Sequence, residues 1–276
     1  MDAVENRQSQ LVRRGIVRLG EGVSEVCQDT LTVEEPLEIR IGTQAIAVIM
    51  RTPRDDFDLA AGFLFTEGLI DSCRDLAQIS YCSNATPPNL ENVIEVRLIQ
   101  GVEFDSAQLK RNFYASSSCG VCGKASIEAI TQRISAMTVD FQVELEVLYS
   151  LDHKLRAAQT VFAQTGSLHA AGLFDECGEL LVLREDVGRH NAVDKVVGSF
   201  LLRNKPIPPR SILLVSGRAS FEIIQKAHSA GIPIVAAVSA PSSLAVDLAS
   251  EGGMTLLGFL RGSRCNIYTG EQRIAT

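Results

Sequence analysis

The chain has no excess of basic residues, no apolar run long enough to cross a bilayer, no internal repeat, no low-complexity tract and no second closely spaced pair of cysteines. Each absence excludes something. Acidic residues number 33 against 26 basic ones, for a formal charge of −7. A nucleic-acid binder ordinarily carries the opposite balance, so nucleic acid is set aside as a partner. A small anionic ligand is not, because local loops can be cationic on an acidic protein. The longest apolar runs, Ala45 to Met50 and Ile232 to Val238, fall far short of the ~20 residues that span a bilayer, so no membrane partner is expected. Arg13-Arg14 has the form of an export signal, but charged residues and no apolar stretch follow it. The expectation is an unexported, cytoplasmic protein.

Seven cysteines are present: Cys27, Cys73, Cys82, Cys119, Cys122, Cys177 and Cys265. The number is odd and only one pair is close, which argues against a secreted disulfide scaffold and for a compartment that keeps thiols reduced. With 276 residues, 46% of them hydrophobic, the chain can bury a sizeable core in one large domain or two small ones.

Residues 1 to about 30 show no clear period, and a frayed start is expected there. Leu37–Ile41 alternates as a half-buried strand and Gly42-Thr43 turns into a second one, Ala45–Met50. Thr52-Pro53-Arg54-Asp55 reads as a helix start, with Thr52 as cap and Pro53 in the first turn. The helix places Phe57, Ala60, Ala61 and Leu64 on one face and ends near Gly68. Ile94, Val96 and Leu98 form another alternating strand. From about residue 150 the rhythm changes. A helix near 152–163 precedes strands Leu168–Phe174 and Leu180–Arg184, and a helix from Asn191 to Leu202 follows. Strand Ile212–Val215, helix Phe221–Ala230, strand Pro233–Val238, helix Ser243–Ser250 and strand Met254–Leu260 complete the series. This alternation predicts a layered α/β domain over a largely parallel sheet. The expected division is a smaller α+β subdomain over residues 1–148 and an α/β domain over 149–276.

Cys119-Gly120-Val121-Cys122-Gly123 carries the strongest chemical signal. Small residues surround the two thiols, and Ile127, Ile130 and Ile134 recur at helical spacing behind them. A helix amino end and Lys124 favour thiolate, the form that sulfur or disulfide chemistry needs. A structural zinc site would need about four ligands, and no second Cys pair is present, so no bound metal is expected. A thioredoxin-type dithiol would follow a strand directly within a βαβ unit.

Three strand ends share a second character. They run into Ser216-Gly217-Arg218-Ala219-Ser220, Ser239-Ala240-Pro241-Ser242-Ser243 and Arg261-Gly262-Ser263-Arg264. Ligands of open α/β sheets bind beyond the carboxyl ends of strands. Gly and Ser expose backbone amides there and the arginines add charge, so the set predicts a phosphate site. Serine and glycine also cap helices for purely structural reasons. Glu185-Asp-Val-Gly-Arg-His-Asn191 precedes a helix too, either as a ligand contact or as a capping and ion-pair cluster. His169 reads as a packing residue, and His153 and His228 as helix-surface residues.

These residues resemble those of the formate dehydrogenase accessory sulfurtransferases, the FdhD family. The motifs that carry the resemblance are Ser117-Ser-Cys-Gly-Val-Cys-Gly123, His169-Ala-Ala171, Glu185-Asp-Val-Gly-Arg-His-Asn-Ala-Val-Asp-Lys195, Ser216-Gly-Arg-Ala-Ser220, Gly258-Phe-Leu-Arg261 and Asn266-Ile-Tyr-Thr269. Glu34-Glu-Pro36 and the Asp58–Gly68 segment also match, so the likeness runs over nearly the whole chain. The resemblance implies a sulfurtransferase that takes persulfide sulfur from a cysteine desulfurase. The sulfur goes to the bis-(molybdopterin guanine dinucleotide) molybdenum cofactor, a substrate here, for use by formate dehydrogenase. It implies Cys119 and Cys122 as catalytic residues, with Cys119 the persulfide carrier. It further implies cofactor contact through Phe259, Leu260, Arg261, Gly262, Ser263 and Arg264, joined by Ser216, Gly217, Arg218 and His190 from the loops above. A homodimer and a three-layer, cytidine-deaminase-like carboxyl-terminal core are also implied. Leu260 and Ser263 stand where some relatives carry cysteine and proline, and Cys265 reads as a local packing replacement. Two alternatives differ in mechanism. A chaperone that only carries the cofactor would need no reactive thiol. A zinc deaminase would need His-x-Glu followed by Pro-Cys-x-x-Cys, whereas Ala170 and Ala171 follow His169.

Overall fold

The computed structural model describes residues 9–20, 22–86, 90–102, 135–138 and 140–275. The loop that carries Cys119 and Cys122 and the helix expected at Ile127–Ile134 lie outside the described residues.

Leu11–Gly20 (β1) and Val23–Thr32 (β2) form an antiparallel two-stranded ribbon where a frayed start was expected. Its apolar residues lie on both faces: Val17 stands opposite Val26 on one and Ile16 opposite Cys27 on the other. A two-residue period is therefore invisible in the sequence. Val17, Leu19, Val23 and Val26 are between 60% and 83% exposed. At the base, Val33 N donates to Gln10 O, and the Thr32 and Ser167 hydroxyls meet at 2.7 Å.

Glu35–Ile41 (β3), Gln44–Arg51 (β4), Leu76–Tyr81 (β5) and Val93–Leu98 (β6) form a sheet in the order β4-β3-β6-β5. Leu37, Ile39, Ile94 and Val96 project from one face and pack on Leu59, Ala60 and Leu64 of helix α1, Asp56–Thr66. The helix starts later than Thr52-Pro53 suggested, because Thr52 is engaged elsewhere. Its N–H donates to Asp186 Oδ2 at 3.1 Å and its hydroxyl accepts from Val187 N at 3.2 Å. Arg54 and Asp55, at φ 79° and 54°, then turn the chain into the helix. Phe63 is buried in the position expected of Phe57, which stays at the surface against the Tyr81 ring.

The remaining chain builds three layers. Leu145–Ala158 (α2) and the short Phe162–Thr165 (α3) come first. A six-stranded sheet follows, with strands numbered around the small pair made by Val143–Glu144 (β7) and Ile274–Ala275 (β14). Its members are His169–Asp175 (β8), Leu180–Asp186 (β9), Ser211–Val215 (β10), Ile234–Ala237 (β11), Thr255–Arg261 (β12) and Arg264–Thr269 (β13), in the order β13-β12-β11-β10-β8-β9. Only the β10–β11 and β11–β12 pairs are parallel. The sheet is thus mixed, where a largely parallel one was expected: β8–β9 and β12–β13 are hairpins, and hairpins reverse direction. Successive strand residues face opposite layers. Leu213, Val215, Val235 and Ala237 meet helices Arg189–Leu202 (α4), Phe221–Ser229 (α5) and Ser243–Glu251 (α6). Ile212, Leu214, Ile234 and Ala236 meet Leu148, Leu151 and Leu155 of α2. Strands buried on both faces read as continuous apolar runs, as these do. The boundary expected after residue 148 falls inside α2, which begins seven residues before the helix expected near 152.

Helices α1 and α4 cross with their backbones in contact. A Cβ on Gly62 would lie 1.9 Å from Asp194 O, and one on Gly198 would lie 1.8 Å from Asp58 O. Beside this crossing, buried Lys226 Nζ bonds Thr66 Oγ1, Glu67 Oε1 and Asp194 Oδ1, each at 2.9 Å. Burial works against the Lys226 charge, but the Asp194 and Glu67 carboxylates outweigh it and hold the ammonium above its ordinary value.

Candidate functional site

Strand direction decides which side chains gather. β10, β11 and β12 end at one edge of the sheet. β8 runs against β10, so it begins there with His169, and β9, which runs against β8, ends there with Asp186 beside His169. All three Ser/Gly/Arg loops and the Asp186–His190 segment therefore share one rim.

The loops are joined by hydrogen bonds to main-chain carbonyls. Ser242 N donates to Ala219 O at 3.0 Å, Phe259 N to Ser239 O at 3.1 Å, and Arg261 Nε to Val238 O at 3.2 Å. Phe259 has φ 54° at a bulge in β12, a strained conformation for a bulky residue, and it is 44% exposed. Arg218, Arg261, Gly262, Ser263 and Arg264 are also exposed. Leu260 differs from its neighbours: its side chain is fully buried in the core against α2, so a ligand could meet only its backbone. Strand alternation turns Phe259 and Arg261 outward and Leu260 inward. Ser216 is likewise committed, its hydroxyl accepting from Ala170 N and its N–H donating to Ala170 O, both at 2.9 Å. Cys265 packs partly against the same core, and burial pushes its thiol up.

Under the rim lies a buried ionic support. Asp186 accepts from Thr52 N at 3.1 Å, Gly188 N at 2.8 Å and Asn191 Nδ2 at 2.7 Å, and Lys195 Nζ stands 2.7 Å away. Lys195 also donates to Thr52 O at 2.9 Å. The Glu185–Lys195 motif therefore contains the capping and ion-pair cluster that its sequence allowed. Asp186, Asn191 and Lys195 are scaffold, whereas Arg189 and His190 reach the rim.

His190 Nε2 lies 2.7 Å from Glu222 Oε2 and 3.1 Å from Ser220 Oγ. The hydrogen bond to His190 holds the Glu222 carboxyl below its ordinary value, against the effect of burial. His169, read from sequence as a packing residue, is half-buried at the same place. A Cβ on Gly217 would come 3.3 Å from its Nδ1 and 3.8 Å from Arg189 Cδ, so a side chain there would press the imidazole back by a few tenths of an ångström. Burial lowers the tendency of His169 to protonate, and the charges of Arg189 and His190 lower it further. Arg189 Nε is buried with no hydrogen-bond partner among the described residues. His169 and Glu222 also stand at this rim, although the sequence reads His169 as a packing residue and does not single out Glu222, and Arg189 enters it only as part of the Glu185–Asn191 segment. The usable signal was position, since each lies within two residues of a strand end or helix start on this edge. No cluster of three or more metal-ligating side chains occurs among the described residues, and none of their helices is long and apolar enough to cross a membrane.

Fold and rim together define a three-layer α/β protein with a cationic, glycine-containing edge suited to an anionic ligand. Residues 32–275 match the FdhD/NarQ family. The chain belongs to that family. It is 54% identical over 269 residues to the sulfur carrier protein FdhD of Streptomyces avermitilis, with 95% of each chain covered. The protein of the same name from Sulfolobus acidocaldarius is 43% identical, with 96% of this chain and 99% of that one covered. Among solved structures, a formate dehydrogenase accessory protein from Desulfotalea psychrophila superposes with a TM-score of 0.77 at 25% identity, covering 97% of this chain and all of the other.

Proposed function

We propose that this chain is a cytoplasmic sulfur carrier for formate dehydrogenase maturation, acting as a homodimer. In this reading the Cys119 thiolate attacks the persulfide of a cysteine desulfurase. A new sulfur–sulfur bond forms at Cys119 as the old one breaks and the desulfurase cysteine leaves as thiolate. The sulfur then goes to the bis-(molybdopterin guanine dinucleotide) molybdenum cofactor, whose guanine-nucleotide ends rest on the rim of the six-stranded sheet. The observation that carries the reading is the rim itself. Arg218, Arg261, Arg264, Arg189 and His190 converge where backbone loops are exposed, in a chain whose family includes sulfur carrier proteins. A pure carrier of cofactor would account for the rim but leaves the Cys119–Cys122 pair without a task.

Intact-mass measurement after incubation with a cysteine desulfurase and cysteine tests this. The expected result is a gain of one or more sulfur atoms, reversed by reductant; an unchanged mass would leave only the carrier of cofactor. With cofactor-loaded apo formate dehydrogenase added, Cys119→Ala should abolish the gain of formate oxidation, while Cys122→Ala keeps part of it. The first cysteine of such a loop is generally the exposed nucleophile. Full activity in Cys119→Ala would place the carrier sulfur elsewhere.

A further inference from the structure

We propose that His169 is the proton acceptor of the rim, taking up a proton when a phosphate group binds beside Arg189 and the amino end of α4. The inference rests on the reading of the rim as a nucleotide site. It concerns a residue that the sequence motifs leave to packing.

The geometry is a convergence of three elements. His169 is the first residue of β8, Arg189 opens α4, and Gly217 lies in the loop after β10. The point where a Gly217 Cβ would sit is 3.3 Å from His169 Nδ1, 3.5 Å from its Cε1 and 3.8 Å from Arg189 Cδ. None of the described residues hydrogen-bonds the His169 ring, and Arg189 Nε beside it is buried and unpartnered. α4 also opens without a side-chain cap on Gly188. The His169 ring, the Arg189 stem and the uncapped start of α4 thus meet beside the Gly217 loop.

Burial lowers the tendency of His169 to protonate, and the balance of charges around the ring adds to that. From β9 comes Asp186, whose carboxylate is occupied by Thr52, Gly188, Asn191 and Lys195. From α4 come Arg189 and His190, both of which oppose a further positive charge. From α5 comes Glu222, which is engaged with His190. The β10–α5 loop adds Arg218, at the surface. No free carboxylate among these balances a charged His169. A phosphate would supply that balance, so the ring's affinity for protons rises on binding. Linkage then fixes the sign. In the pH range between the free and bound values of His169, binding takes up a proton and affinity increases as pH falls, by about tenfold at most per pH unit for one group.

The test is titration calorimetry of the full chain with GDP in two buffers of different ionisation enthalpy, repeated from pH 6 to pH 8. A parallel arm uses inorganic pyrophosphate. GDP's own phosphate titrates near neutrality, so the readout is the difference between wild type and His169→Gln. His169→Asn serves if the glutamine variant does not fold. Wild type should show buffer-dependent heat that corresponds to proton uptake, and a Kd that weakens roughly three- to tenfold over this range. His169→Gln should lose both the uptake and the extra pH dependence. His190→Gln should bind more weakly and keep the uptake. Uptake with pyrophosphate as well assigns the proton to phosphate recognition. Binding with equal uptake in wild type and His169→Gln, or uptake lost in His190→Gln alone, overturns the assignment to His169 and leaves the nucleotide site standing. Absence of GDP binding at every pH overturns both.

Discussion

Arg218 and Arg261 bring the same charge to the same rim but differ in what else they hold. Arg218 is exposed in the loop after β10, whereas Arg261 Nε donates to Val238 O and helps to fix one loop on another. Arg218→Ala should therefore cost roughly 1.5–3 kcal/mol of GDP affinity, the value of a charge-assisted contact, with no change in thermal midpoint. Arg261→Ala should weaken GDP comparably and also lower the midpoint. Calorimetric titration and melting of both variants separate the two effects, and an unchanged Kd in Arg218→Ala would remove that residue from the site. Glu222 yields a pH prediction. Its carboxyl is held below the usual 4.5 by the hydrogen bond to His190. The contact contributes stability above that value and loses it as pH falls through the lowered one. Melting curves of wild type and Glu222→Gln should differ at neutral pH and converge as the pH falls below the ordinary 4.5.

Between elements, the α1–α4 crossing is the tightest feature of the fold. A methyl group at Gly62 or Gly198 would fall within 2 Å of the opposing backbone, and backbone cannot swing aside as a long side chain can. Gly62→Ala and Gly198→Ala should each destabilise by about 1–3 kcal/mol, read as a lower denaturant midpoint. Lys226→Met should cost about 3–5 kcal/mol, because Asp194 then lies buried without its counter-charge. Legibility at this scale follows the range of the forces. The strands and helices after residue 168 were readable because their burial is local in pattern, as Ile212–Val215 and Ile234–Ala237 are apolar at every position. The start of α1 was not readable, because Thr52 is drawn away by Asp186 and Val187, 134 and 135 residues on. The position of α2 was lost for a related reason: its buried face is set by Leu148, Leu151 and Leu155 against a sheet assembled later in the chain.

For the molecule as a whole, sequence pattern gave the rim loops but not their mutual bonds. Ser216, Gly217 and Arg218 could be seen to follow a strand, yet only the antiparallel course of β8 brings His169 to the same edge. The inward turn of Leu260 was implicit in strand alternation, but the bulge at Phe259 that accompanies it was not. The β1–β2 ribbon was invisible for want of a period. It lies almost wholly ahead of the family-matched span, which begins at residue 32. Ten-residue strands that pair only with each other among the described residues, with valines open to water, have a further consequence, for colloidal behaviour. Unpaired amide edges template association between molecules, and a lone pair of strands has little stability of its own to resist it. A chain that begins at Val33 should keep the far-ultraviolet spectrum and cooperative melting of the body while scattering less light at high concentration. Val17→Lys with Val26→Glu in the full-length chain should reproduce that gain in solubility, because opposite charges across the ribbon leave its pairing intact and give a neighbouring molecule nothing apolar to rest on.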